Sequence, residues 1–240
     1  PGSLTTDSIG VTIFFGVFQG VAYLALEPVV RREHPSWLSS WTRIIEGQLM
    51  DRLVGRDLLA GLALGMGSTV IARAVELVSP ASLTGDFTPA AIGGAPAVAV
   101  VLRGFNVGLL GGMVLALMLV LLLRVLRVRA VAWAAWIVFA TLQLRGVAAP
   151  SALEWSARIA EVSLLALAVG RHGLLGLVAA TFVYVSVQDE YLTTNLGAWY
   201  AGVTQVLVVA LLLATTWACA AALRRPSGAG RFANRDGFVP

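Results

Sequence analysis

"FNVGLLGGMVLALMLVLLL", residues 105–123, holds no charged side chain. A helix needs about 20 mostly apolar residues to cross the hydrocarbon core of a bilayer, and this run fits that length. Buried inside a soluble protein it would need polar elements to cover it, and the chain has few. The sequence of 240 residues is 58% hydrophobic and 12% charged, with mean hydropathy +0.83. A soluble domain carries about 25% charged residues. A surrounding bilayer supplies the missing cover. Working outward, similar runs predict spans near 8–29, 57–78, 105–123, 130–146, 153–170, 173–188 and 199–223. The fifth and sixth are short and close together, so a hairpin or re-entrant pair stays open there. The expected fold class is all-α: a polytopic membrane helical bundle of about seven transmembrane helices plus one interfacial amphipathic helix. It forms a single membrane-embedded domain over 1–223, followed by a polar cytoplasmic tail, 224–240.

Every basic side chain is arginine, and the formal charge is +4. The arginines sit in short clusters between apolar runs rather than along one basic stripe, which argues against nucleic acid. Short cytoplasmic loops are enriched in basic residues. Placing the loop after the first span inside gathers Arg31, Arg32, Arg43, Arg52, Arg56, Arg124, Arg127, Arg129, Arg171, Arg224, Arg225, Arg231 and Arg235 on that side. Arg73, Arg103, Arg145 and Arg158 remain outside. The expected location is a bacterial inner membrane, N-terminus outside and C-terminus cytoplasmic, which suggests that a further segment precedes residue 1. The pairs Gly16/Gly20, Gly61/Gly65 and Gly108/Gly112 are spaced for close helix packing. Cys219, alone in the chain, cannot form an internal disulfide and reads as a small lipid-facing or packing residue.

The longest polar interruption is "LALEPVVRREHPSWLSSWTRIIEGQLMDRLVGRD", residues 24–57. Pro28 lacks an amide donor, so the first helix is expected to kink or end there. From Pro35 the apolar residues Trp37, Leu38, Trp41, Ile44, Ile45, Leu49 and Leu53 recur at three- and four-residue steps. This predicts an interfacial helix over about 35–54, with indoles at headgroup depth and arginines able to meet lipid phosphates. Asp57 falls near the start of the second span, where a carboxylate favours the helix dipole. Glu27, Arg31, Arg32, Gly55, Arg56 and Asp57 then form an anchoring corner, and Trp37, Trp41 and Arg43 the interfacial surface.

Two segments carry a family resemblance. "YLALEPVVRREHPSWLSSWTRIIEGQLMDRLVGRDLLAG", residues 23–61, resembles the polytopic membrane region that follows the kinase domain in many bacterial, acidobacterial-type serine/threonine protein kinases. That region typically reads YLALEP, a basic pair, a Pro, SWxR and DPLVGRD. "YLTTNLGAWYAG", residues 191–202, is similar to the family's PLTxDxSAWYAG before its last span. The family's Pro after Asp51 is Arg52 here. Neither a Gly-rich nucleotide loop nor a catalytic Asp loop occurs, so kinase activity does not carry over. The resemblance implies a membrane module of no assigned chemistry. Trp199 and Tyr200, in the second motif, would fix the start of the last span.

"GMGS", ending at Ser68, shares letters with a serine-protease motif in the wrong order, with His172 as a distant base. His34 and His172 show no zinc-binding spacing. Glu154, Arg158 and Glu161 fall on one face of the fifth span and could line a polar cavity; that leaves an ion or small-molecule transporter as the alternative. The reading preferred is a scaffold, sensor or accessory module, not an enzyme. It predicts no catalytic residue, metal or cofactor, expects bound lipid, and expects other membrane subunits as partners.

Overall fold

The computed structural model describes residues 2–78, 97–144, 151–188, 195 and 201–224, of which 2–14, 26, 33, 97–100 and 144 by backbone alone. Among the described residues the fold is all helical and contains no strand. The elements are α1 (Gly2–Glu33), a 3-10 turn (Pro35–Leu38), α2 (Ser39–Ile45), α3 (Arg52–Val78), α4 (Ala97–Val125), α5 (Arg129–Leu144), α6 (Ala152–Gln188) and α7 (Ala201–Leu223). Among the described residues, four helices are long and apolar enough to cross a membrane: α3, α4 from Val101, α6 and α7. The expectation of seven spans is thus met for four. With 16 residues, α5 reaches only about 24 Å, and the first predicted span, 8–29, lies partly outside the residues described with side chains. Trp199, Tyr200, Arg145 and the tail beyond Arg224 lie outside the described residues.

The fifth and sixth predicted spans are two arms of α6, which breaks at Gly173 (φ 66, ψ −156). That backbone region is essentially open to glycine alone. The Tyr184 hydroxyl nevertheless lies 3.1 Å from Glu161 Oε2. Along a straight helix these residues would stand about 34 Å apart, so the arms fold back into a hairpin. The second arm is buried nearly all round from Leu174 to Val187. A helix with apolar residues on every face belongs in the centre of a bundle. It joins two apolar clusters, one around Leu119, Trp136 and Leu165, the other around Leu62, Val183 and Leu207.

Glycine faces let α3 and α4 reach that arm. A Cβ at Gly61 would stand 2.7 Å from Ala179 Cβ, and one at Gly65 2.9 Å from Ala180 Cα. On the other side, Gly108 and Gly112 meet Phe182 and Val178 in the same way. Gly55 makes the equivalent approach to Ala218 and Ala222 of α7. Both GxxxG expectations for α3 and α4 are realised. For α1, Gly16 and Gly20 are exposed, and among the described residues a Cβ added at either would meet nothing within 4 Å. Buried hydroxyls add cross-helix bonds, as from Thr181 Oγ1 to the Gly108 carbonyl (2.7 Å) and Ser68 Oγ to the Glu161 carbonyl (3.2 Å). Cys219 is exposed.

The stretch between α1 and α3 departs from expectation in three ways. First, of the two outcomes expected at Pro28, α1 does not end there but runs on to Glu33. Second, the interfacial helix expected over 35–54 ends at Ile45. The amide of Gly47 donates to the Ile44 carbonyl (3.0 Å) and that of Gln48 to the Arg43 carbonyl (2.8 Å). This is a Schellman end, and Gly47 takes the left-handed φ of 79° that it needs. Apolar periodicity ran on past this stop because Leu49 and Leu53 happen to keep it. A side chain at such a position costs about 1–2 kcal/mol. Gly47→Val is therefore expected to lower the unfolding free energy in detergent by that much, and an unchanged stability would contradict this account of how α2 ends. Third, the residue at the start of α3 is Asp51, not Asp57. Asp51 Oδ1 accepts the Leu53 amide at 2.7 Å, as a helix cap, while its other oxygen pairs with Arg43 Nη1. Asp57 lies about one and a half turns further in.

Candidate functional site

Helix ends converge at one end of the bundle. Trp37 meets the α6 vertex, since a Cβ at Gly173 would stand 2.8 Å from Trp37 Cα. The Trp37 ring lies 6.5 Å from that of Trp133, near the start of α5, and 4.4 Å from that of His34, on which it stacks. The start of α3 lies against the end of α7 through Gly55. The side chain at the centre of this corner is Asp57, 4% exposed. One carboxylate oxygen accepts from Ser40 Oγ of α2. The other lies 3.0 Å from His172 Nδ1 at the vertex and accepts from Arg56 Nε and Nη2 at 3.2 and 3.1 Å. A buried carboxylate is tolerable when its lone pairs are filled in this way. Asp57 thereby ties together α2, α3 and the turn of α6.

A serine, a histidine and an aspartate in one cluster invite comparison with a hydrolytic triad. There the imidazole stands between hydroxyl and carboxylate and takes the hydroxyl proton. Here the carboxylate stands in the middle, and Ser40 donates to it directly. No hydrogen bond joins Ser40 to His172 among the described residues. The other serine considered, Ser68, lies about 16 Å further along α3, fully buried, and donates to the Leu64 and Glu161 carbonyls. The arrangement suits holding helices together rather than activating a nucleophile.

The chain matches no family model, no curated protein and no solved structure.

The structure brings together part of the predicted corner. Glu27 pairs with Arg31 at 2.8 Å, Arg43 with Asp51 and Arg56 with Asp57 at 3.1 Å; Arg32 is exposed. Trp41 packs against the core with its ring 6.4 Å from that of Tyr23. The predicted face of Glu154, Arg158 and Glu161 separates into three roles. Glu154 Oε2 accepts the Ser151 amide (2.8 Å) while Ser151 Oγ accepts the Glu154 amide (3.3 Å): a capping box that starts α6. Arg158 lies 5.8 Å over the Trp155 ring. Only Glu161 points inward, 3% exposed and bonded to Tyr184. Polar bonds between helices in membranes contribute about 1 kcal/mol. Tyr184→Phe, which keeps the ring, is expected to lower stability by that amount; an equally stable variant would show that Glu161 does not depend on the phenol.

Sequence reasoning passed over Ser40 and Tyr184 and weighed His172 only as a distant base or zinc ligand. Two signals pointed to them. Asp57 lies inside an apolar helix, which demands polar partners from elsewhere. "RHGLLG", residues 171–176, sets glycine directly after histidine between two short apolar runs, which suits a tight turn.

Proposed function

We propose that this chain is a non-catalytic integral membrane module that acts through partners, as a scaffold, sensor or accessory subunit. One observation carries the reading: the bundle's centre is filled by the second arm of α6, held on both sides by glycine contacts too close for a Cβ. Such a core favours a rigid support. Asp57, the buried acid at the corner, is occupied in tying helices together. The resemblance to the membrane region of bacterial kinases belongs to the same proposal. Its support is that Glu27, Arg31, Arg43, Asp51, Arg56 and Asp57, which carry that resemblance, are the residues that pair at the corner.

We place the module in a bacterial inner membrane with seven crossings, the α6 arms providing the fifth and sixth, the N-terminus outside and the C-terminus cytoplasmic. In favour of that orientation, the ends of α1 and α4, the starts of α3 and α5 and the α6 vertex carry Arg31, Arg32, Arg52, Arg56, Arg124, Arg129 and Arg171 and gather at the Asp57 end. Arg73 stands at the opposite end, bonded to Glu76 and to the Val187 carbonyl. Transport is the second reading, favoured by Glu161 midway along its arm. Purification from the native membrane in mild detergent, followed by mass spectrometry, tests the role. The expected result is a larger assembly of fixed stoichiometry. A lone monomer or homodimer, with ion flux in liposomes that Glu161→Gln abolishes, would overturn it in favour of transport.

A further inference from the structure

The arginines at the Asp57 end fall into two groups. On the α1–α3 side, Arg31, Arg43 and Arg56 each hold a carboxylate, while Arg32 and Arg52 are exposed. On the other side, Arg124, Arg127 and Arg129 of the α4–α5 turn are exposed, and no carboxylate pairs with them among the described residues. Arg171 adds a fourth exposed charge nearby, because the adjacent Gly170 lies against the ring of Trp133, one turn beyond Arg129. Set between these arginines are Val125 and Val128, exposed by 75% and 58%. Arginine alone would suit water, and valine alone would suit acyl chains. Alternated on one short turn, they suit the boundary between headgroup and acyl chain, where a single molecule can answer both.

The geometry points to a docking site for an anionic phospholipid at the α4–α5 turn. Its phosphate engages Arg124, Arg127 and Arg129, with Arg171 beside them, and its acyl chains cover Val125 and Val128. Guanidinium groups bind phosphate through paired N–H donors. A free phosphate would satisfy the charge and leave the valines bare, so the lipid is the occupant. The inference rests on the bilayer reading above and is independent of the scaffold role.

The test is native mass spectrometry of the purified full chain in mild detergent, with phosphatidylglycerol or phosphatidylcholine added. The wild type is expected to retain phosphatidylglycerol preferentially. Each basic residue near an anionic surface contributes about fivefold in binding. The variant Arg124→Gln/Arg127→Gln/Arg129→Gln should therefore lose on the order of 100-fold in preference, while Arg103→Gln on the opposite half of α4 leaves it unchanged. Equal retention of the two lipids by the wild type, or undiminished preference in the triple variant, overturns the site. So does displacement by inorganic phosphate at constant ionic strength, which would make the ligand a free anion, or by an acidic peptide under the same condition, which would make it a protein. If the triple variant does not fold, the wild type still decides: retention must fall as salt rises, and salt-independent retention overturns the proposal. Failure of the wild type to enter liposomes would instead contradict the bilayer reading.

Discussion

Gly173→Ala is expected to loosen the bundle more than any other single methyl group added to the chain. Two costs coincide at this position. Its backbone conformation, φ 66 and ψ −156, strains any residue with a Cβ by about 1–3 kcal/mol. The new carbon would also press on the backbone of Trp37, and overpacking of that kind costs a further 1–3 kcal/mol or so. Against a total stability of roughly 5–15 kcal/mol, the variant should unfold at markedly lower temperature in detergent and lose the contact between Trp37 and the α6 vertex. Gly170→Ala is the control three residues away. Its Cβ would meet the Trp133 ring at an ordinary 3.5 Å, and a helical Gly-to-Ala change is neutral or favourable by up to about 1 kcal/mol. A Gly173→Ala protein as stable as the Gly170→Ala protein would contradict the hairpin geometry.

Asp57→Ala is the second large effect. The side chain is 6% exposed and gathers Ser40, Arg56 and His172. Its removal leaves Ser40 and His172 without their buried partner, at about 1–3 kcal/mol each, while Arg56, 60% exposed, can turn to water. Asp57→Asn keeps an acceptor for Ser40 and should lose less. Ser40→Ala and His172→Ala are each expected to be milder, and a double-mutant cycle between Asp57 and His172 should show coupling of about 1–3 kcal/mol. Additive effects would mean that Asp57 does not join the α6 vertex to α3. Guanidinium or heat unfolding of the detergent-solubilised protein reads all of these variants.

The helical, membrane-type character of the fold was legible in residues 105–123 and in the low charge of the chain. So was the packing role of Gly61, Gly65, Gly108 and Gly112, since close approach requires small residues at that spacing. The folding back of α6 was open but undecided. Its arms are separately too short to announce themselves, and the deciding feature is one backbone angle at Gly173. The corner was half legible. Ion pairs near in sequence, such as Glu27 with Arg31 and Arg73 with Glu76, follow from helical spacing. The link from Asp57 to His172 spans 115 residues and follows only from how the helices meet. The placement of Glu154, Arg158 and Glu161 was legible from spacing, but their contacts were not. Helical spacing puts the three on one side, but Ser151 draws Glu154 back to cap the helix and Trp155 draws Arg158 to its ring.

The central claim is that the α6 hairpin fills the bundle, and a distance across it tests that directly. Spin labels at Ser156→Cys and Gln188→Cys, in a protein also carrying Cys219→Ser and reconstituted in lipid, would be measured by pulsed electron resonance. The folded hairpin predicts a separation below about 25 Å, since the two positions lie nearly level on antiparallel arms. A continuous α6 would place them about 48 Å apart, and a distance near that value would contradict the hairpin, the buried Glu161–Tyr184 contact and the filled core on which the scaffold reading depends.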